Sequence, residues 1–332
     1  MPRRYIRQFA DGDAFDDIFL ATDKLVKTNR QGQPFLQLEL RDRSGALTGR
    51  LWNAPESLTR QINPGDFIKA KGKVQFFQGA LQIILSDVQP LQGEKFDMTD
   101  FLPHTEQDIA KLQEKLKAML FKSSDLHLRA LAQAFFMDEK FVRDFCKAPA
   151  GVRQHHAYLG GLLEHVVTMM DAAERLMPVY SNLNRDLVLM GIFLHDIGKV
   201  RELRYDSAFT YTDEGELVGH IVMGVEMLNE KLKQAEELSE EPMPSELKYR
   251  LKHIIVAHHG QLEYGSPKLP MTPEAVFIYY LDNLDARTHA FVRDIKEDKN
   301  TQSNWTVYNQ NINRKLYKGE PADPMAGVME DI

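Results

Sequence analysis

Through the first ninety residues, apolar and polar positions alternate or are β-rich, the mark of half-buried strands. "FDDIFLATDKL" and "PFLQLELRD" read as strands, and "RDRSGALTGRLW" places a Ser-Gly turn between the second of these and a third. "APESLTRQI" is a short helix, "NPGD" a turn, and "FIKAKGKVQFFQGALQIILSDVQPL" a long hairpin folded at Gln78-Gly79. Adjacent Phe76 and Phe77 point to opposite faces of a regular strand, so one of them should lie outside the core or under another element. Helical patterns follow from about Asp108 to Phe145, and after "KAPAGVRQHH" the chain is nearly all helix. One stretch breaks its own pattern. In "LVLMGIFLHDIGK", 187–199, an apolar run from Leu187 to Leu194 predicts a helix buried on most sides, yet it ends in His195 and Asp196, with Gly198 and Lys199 just behind.

Three strands, a helix and two strands is the order of the five-stranded OB barrel, which this region resembles and which often binds oligonucleotides. On such a barrel Phe35, Trp52, Phe76 and Phe77 could stack bases or serve as core. Arg43, Arg50, Lys69, Lys71 and Lys73 could meet phosphates. The barrel is assigned to 1–92, and "QGEKFDMTDFLPHTEQ" is read as a linker within a connecting segment, 93–149.

Composition is ordinary for a soluble globular protein: 332 residues, 43% hydrophobic and 27% charged. A single cysteine, Cys146, excludes an internal disulfide framework and fits a reducing cytoplasm. "MPRRYIRQFADGDAF" has no apolar stretch of the signal-peptide kind, and no apolar run is long enough to span a membrane. The net charge of −7 argues weakly against a nucleic-acid partner, but its distribution changes that picture. Residues 1–95 carry 14 Lys/Arg against 11 Asp/Glu, and the remainder 27 against 37. A mildly basic first part precedes an acidic second part, whose carboxylates could hold cations or keep the protein soluble.

Five helical segments of the second part carry candidate metal ligands: His165; His195 with Asp196; His220; His258 with His259; and Asp282 with Asp285. Any one alone is an ordinary core histidine or a capping carboxylate. Their recurrence matters, because each is costly to bury unpaired and a shared cation removes that cost for all. Imidazole and carboxylate suit Mg, Mn, Fe or Zn. The order H(165)…HD(195–196)…H(220)…HH(258–259)…D(282) resembles the HD-domain metal-dependent phosphohydrolases in their two-metal form, over roughly 150–295. That resemblance implies a first metal on His165, His195, Asp196 and Asp282. Asp196 would bridge to a second, held by His220 and by His258 or His259. Two such metals activate water against a phosphodiester. Lys199 could hold a phosphate oxygen, help the leaving group, or merely balance a helix end. Arg153, His155 and His156 could bind a phosphate or terminal nucleotide. After the double histidine, HD-GYP phosphodiesterases have a Gly-Tyr-Pro loop. Here Tyr264-Gly265-Ser266-Pro267 stands instead, and Tyr264 joins the substrate-binding candidates. Thr272 and Pro273 look like the N-cap and first residue of the helix carrying Asp282.

The OB segment joined to "HHAYLGGLLEH", "HDIGK", "AHHG", "YGSP" and "LDNLDA" resembles the YhaM family of bacterial 3′→5′ exoribonucleases over nearly the whole chain. The fold class expected is therefore multidomain α+β: the barrel, then an all-α HD bundle over 150–295, with a tail, 296–332, packed on it. Trp305, Tyr308 and Tyr317 of that tail would shape a substrate entrance or simply pack. The resemblance implies a cytoplasmic nuclease removing nucleoside 5′-monophosphates from single-stranded RNA, and often DNA, with two Mn²⁺ or Mg²⁺; Fe, Co and Zn stay open, as does a homo-oligomer. The competing readings are an HD phosphodiesterase or nucleotidase acting on cyclic or mononucleotides, and a non-enzymatic nucleic-acid binder with a structural metal.

Overall fold

Strand alternation in the first part becomes a closed barrel in the computed structural model, which describes residues 3–28, 32–77, 80–91, 96–152, 156–206, 208–298, 300, 303–310 and 312–319. The elements are β1 (Ala14–Thr28), β2 (Pro34–Asp42), β3 (Gly45–Trp52), α1 (Glu56–Gln61), β4 (Phe67–Phe77) and β5 (Ala80–Leu91). They close in the order β1-β2-β3-β5-β4, with every pairing antiparallel except β3 against β5. Along β2 the even positions Leu36, Leu38 and Leu40 point inward and are fully buried, which fixes the register. With Phe19, Ile68 and Ile83 they form the core, and Ile62 at the end of α1 joins it. Lys24 Nζ holds that helix end by donating to the Ile62 carbonyl at 2.6 Å.

Three details differ from the sequence expectations. The β2–β3 turn is centred on Arg43-Ser44 rather than Ser44-Gly45, because Asp42 accepts from the Ser44 N–H at 2.7 Å and from its hydroxyl at 2.6 Å. Phe76 and Phe77 are both exposed, at 58% and 46%. They sit at the far end of β4, beyond the inward-facing Val74. The hairpin tip Gln78-Gly79 lies outside the described residues. The supposed linker is partly structural: Phe101 and Leu102 are buried with Leu20 of the barrel and Leu159 of the helical part. Phe67 packs its ring against Phe96 at 4.5 Å and Phe101 at 4.8 Å. Burying each such side chain stabilises by roughly 1.5–3 kcal/mol, enough to join the two halves.

The helical part runs α2 (Ile109–Phe121), α3 (Leu126–Phe136), α4 (Glu139–Lys147), α5 (Gly161–Leu176), α6 (Arg185–Leu194) and α7 (Lys199–Glu202). A two-residue hairpin, β6 (Leu203–Arg204) and β7 (Thr210–Tyr211), precedes α8 (Asp213–Val218), α9 (His220–Ser239), α10 (Ser245–Ala257) and α11 (Pro273–Glu297). Every residue of α6 from Leu187 to Leu194 is buried, as its apolar run predicts. Its N-cap, Asn184, accepts from the Leu187 N–H at 3.0 Å and donates its own N–H to Glu274 at 3.1 Å. Glu274, in the first turn of α11, also accepts from Arg250 of α10 at 2.7 Å. One buried carboxylate thus ties together the three helices that deliver His195, His258 and Asp282. Thr272 caps α11 through the Ala275 N–H, with Pro273 at its first position. Among the described residues, no helix is long and apolar enough to cross a membrane.

Candidate metal centre

Each ligand candidate sits where its helix meets the middle of the bundle. His165 lies on the buried face of α5 with Leu162 and Met169. His195 caps the C-terminus of α6, and Asp196 occupies the turn before α7. His220 opens α9, His258 closes α10 with His259 following, and Asp282 and Asp285 lie one turn apart on α11. The apolar run of α6 is the anchor: it buries the helix so fully that its polar end can go only to the centre.

Three groups of donor atoms result, of which one, His156 with His165 and Asp285, lies behind the other two. His165, His195 and Asp282 offer one atom each within 4.8 Å of one another, and so do His220, His258 and His259. Asp196 stands between these two groups. Its Oδ2 faces His195 Nε2 at 3.3 Å and His165 Nε2 at 3.9 Å. Its Oδ1 faces His258 Nε2 at 3.5 Å and His220 Nε2 at 3.6 Å. Asp196 Oδ1, His220 Nε2 and His258 Nε2 are buried with no hydrogen-bond partner. Orphaned buried acceptors of this kind are rare and call for an explanation. Neutral imidazole nitrogens and a carboxylate converging on one point fit a divalent cation.

A second layer fixes which nitrogen points inward. Nδ1 of His165 bonds Asp285 at 2.7 Å, and Nδ1 of His195 bonds the Ile192 carbonyl at 2.6 Å. Nδ1 of His220 bonds Glu202 at 2.8 Å, Nδ1 of His258 the Ile255 carbonyl at 2.8 Å, and Nδ1 of His259 the Tyr264 carbonyl at 2.8 Å. With Nδ1 engaged in all five rings, Nε2 is left for the centre, the pattern that orients metal-binding histidines. Asp285 is itself held by His156 Nε2 at 3.0 Å, and His156 Nδ1 meets the Tyr158 hydroxyl at 2.7 Å.

The electrostatics keep Asp196, Asp282, His258 and His259 in binding form, but not His165. Burial would raise Asp196, but Lys199 and His195 hold it well below the usual carboxylate range. Burial likewise opposes ionisation of Asp282 and Asp285, and their histidine hydrogen bonds outweigh it and pull both down. Burial lowers His258 and brings His259 to about 4, so both rings are neutral near pH 7. Burial also lowers His165, but its bonds to Asp282 and Asp285 win and push it up to about 9. A cation must displace that proton.

The structure brings together seven of the eight candidates, His165, His195, Asp196, His220, His258, His259 and Asp282, with Asp285 behind His165, and it places His258 and His259 in one group rather than making them alternatives. Lys199 is buried with Nζ 2.7 Å from Asp196 Oδ2, committed to that carboxylate. Tyr264 contributes through its carbonyl on His259, while its side chain is exposed. His156 lies behind Asp285 rather than at the centre. Arg153 and His155 lie outside the described residues. On the barrel, Phe35 is buried beneath Trp52, with ring centroids 4.7 Å apart, so only Trp52 presents a face to solvent. Lys71 is outward and 3.2 Å from Asp16. Sequence reasoning missed Glu202 and Arg41. Glu202 carries His220, and its only signal is a carboxylate three residues beyond Lys199. Arg41 and Thr22 of the barrel line an open cleft of about 940 Å³, together with Lys199, Glu202, Tyr211, His220 and His259.

Comparison with known proteins agrees with this organisation. A family model described as an HD domain matches residues 162–287, and one described as an OB-fold nucleic acid binding domain matches 24–91. The 3′-5′ exoribonuclease YhaM of Bacillus subtilis is 33% identical over 92% of this chain and 95% of its own length. The protein of that name from Bacillus licheniformis is 34% identical with the same coverage. That from Oceanobacillus iheyensis is 33% identical over 86% of this chain and 88% of its own.

Proposed function

The chain belongs to the YhaM 3′-5′ exoribonuclease family, and from that premise we propose that it is a two-metal nuclease shortening single-stranded RNA from its 3′ end and releasing nucleoside 5′-monophosphates. The observation that carries the two-metal reading is Asp196, whose two oxygens face separate groups of inward Nε2 atoms. His165, His195, Asp282 and Asp196 Oδ2 would hold one cation. His220, His258, His259 and Asp196 Oδ1 would hold the other. Mn²⁺ or Mg²⁺ fits the carboxylates, and the five imidazoles equally admit Fe, Co or Zn.

When bound, the pair supplies an acidified water and neutralises charge on the attacking and leaving oxygens. The protein's own residues do the rest. Asp285, Glu202 and the Ile192, Ile255 and Tyr264 carbonyls hold five imidazoles in the binding tautomer. Lys199 fixes the rotamer of Asp196 and offsets its charge, which makes it a positioning residue rather than a phosphate contact.

The cleft between barrel and bundle is the route we assign to the strand. From Phe35 to Arg41 the outward side of β2 runs about 20 Å at strand rise, past the cross-strand pairs Phe35–Trp52, Gln37–Arg50 and Glu39–Thr48. It begins at an exposed indole suited to stacking and ends at Arg41 in the cleft.

Incubation of 5′-labelled single-stranded RNA with the protein and Mn²⁺ or Mg²⁺ tests the reading, with single-stranded DNA as second substrate. A ladder shortening from the 3′ end, lost with chelator and in Asp196→Asn, is expected. Turnover of cyclic or mononucleotides far above that of oligomers would replace it with the nucleotidase reading. No cleavage with any of Mn, Mg, Fe, Co or Zn would end it.

A further inference from the structure

Three aromatic rings of the tail, Trp305, Tyr308 and Tyr317, are exposed within one short segment. Residues 303–319 form a small hairpin on the end of α11. Thr306 N–H donates to the Leu316 carbonyl at 2.9 Å, Leu316 N–H to Thr306 Oγ1 at 2.9 Å, and Lys318 N–H to the Asn304 carbonyl at 2.7 Å. Asn309 and Arg314 exchange backbone bonds nearer the tip, where Asn313 takes a left-handed conformation with φ of 51°. Lys318 Nζ on Asp298 at 2.8 Å and Asn309 Nδ2 on Asp294 at 2.8 Å fasten the hairpin to α11. Thr306 and Leu316 are buried beneath it.

Strand alternation then turns the opposite set outward. Trp305 and Tyr317 form a cross-strand pair with ring centroids 5.1 Å apart, and they stay 49% and 51% exposed. Tyr308, Arg314 and Lys315 of the same hairpin are exposed too. Residues 300–319 contain three basic side chains and no acidic one, in a chain whose net charge is −7. An exposed aromatic pair on a hairpin that also presents Arg314 and Lys315 has the chemistry that binds a single-stranded polyanion through its bases.

We propose that this hairpin is a second single-strand contact, a nucleobase-stacking platform separate from the barrel, which holds strands long enough to reach beyond the metal centre. The proposal rests on the nuclease reading above. Twelve residues of α11 separate Asp285 from the helix end, a span of about 18 Å. Mononucleotides at the metals therefore do not meet the platform.

The chain has two tryptophans, Trp52 and Trp305, so Trp52→Phe leaves Trp305 as the only indole reporter. The full chain with Mg²⁺ is titrated with cleavage-resistant phosphorothioate oligouridylates of about 4 and about 16 nucleotides. The long strand should quench Trp305 saturably, and uridine monophosphate should not. Arg314→Ala with Lys315→Ala, which leaves both rings in place, should reduce the slope of log affinity against log salt by about 1.4. Trp305→Ala with Tyr317→Ala should raise KM for long strands about 5- to 150-fold relative to short ones. The proposal fails if long strands that quench Trp52 in a Trp305→Phe variant leave Trp305 unchanged. It fails equally if Trp305 emission follows protein concentration and not oligomer, which would mean that a second copy covers the patch. In both cases cleavage of short RNA persists. Loss of cleavage together with silence at both tryptophans would instead overturn the nuclease reading and the platform with it.

Discussion

Gly198, two residues beyond the proposed bridging aspartate, makes the sharpest test of how the second ligand group is built. A Cβ placed on it would lie 2.7 Å from the His220 carbonyl carbon and 2.9 Å from the Gly224 nitrogen, and nearer still to the His220 carbonyl oxygen. Carbon atoms pack comfortably at about 3.5–4 Å. In Gly198→Ala the start of α9 must therefore retreat by about 1 Å, and His220 is the residue displaced. Overpacking of this kind costs roughly 1–3 kcal/mol of stability. The larger effect falls on function, since a misplacement of about 1 Å can cost about 100-fold in rate. Gly224→Ala, across the same contact, is the control: its Cβ meets Ile255 at 3.3 Å and Gly198 at 3.7 Å, and nothing closer. Metal content after dialysis, thermal melts and cleavage of labelled RNA are measured on both variants. Gly198→Ala should hold one tight cation per chain instead of two, with cleavage down about 100-fold, while Gly224→Ala stays near wild type. A Gly198→Ala protein with two tight cations and normal turnover would refute the reasoning.

The remaining predictions concern the supports. Glu202 accepts both the His220 N–H and its Nδ1, so Glu202→Ala should weaken one of two metal equivalents about 10–100-fold in calorimetric titration and leave the other unchanged. Asp285→Ala should do the same for the other equivalent through His165. Glu274→Gln should destabilise by roughly 1–3 kcal/mol in urea unfolding at pH 7. Burial raises Glu274, but the Asn184 N–H and Arg250 outweigh it and hold it below its ordinary value. Its stabilisation is therefore complete above the ordinary glutamate range and is lost as pH falls through its folded value, so the difference from wild type should shrink on acidification. Trp52→Ala should weaken single-strand binding by about 1–3 kcal/mol, whereas Phe35→Leu should change it far less.

How much of this could be read beforehand follows from what periodicity carries. Period two and the inward leucines at 36, 38 and 40 define the barrel strands, and the 187–194 run defines a buried helix with a polar end. The gathering of these candidate ligands was legible because burying one histidine is commonplace and burying several on converging helices is not. Their grouping was not legible. Neighbours on a helix point about 100° apart, which made His258 and His259 look like alternatives. The turn that ends α10 at His258 instead lets both face His220. The second layer was also hidden, since a carboxylate such as Glu202 or Asp285 looks like any polar helix residue until its partner across the bundle is known. Trp305 and Tyr317 pattern like packing residues, and only the hairpin's strand alternation turns their rings outward.

The central claim is that Asp196 joins two cation sites. Crystals grown with Mn²⁺ and measured for anomalous scattering test it most directly. Two peaks about 3.5–4 Å apart are expected on either side of the Asp196 carboxylate, one against His165, His195 and Asp282, the other against His220, His258 and His259. A single peak, or two peaks that do not share Asp196, would contradict the account.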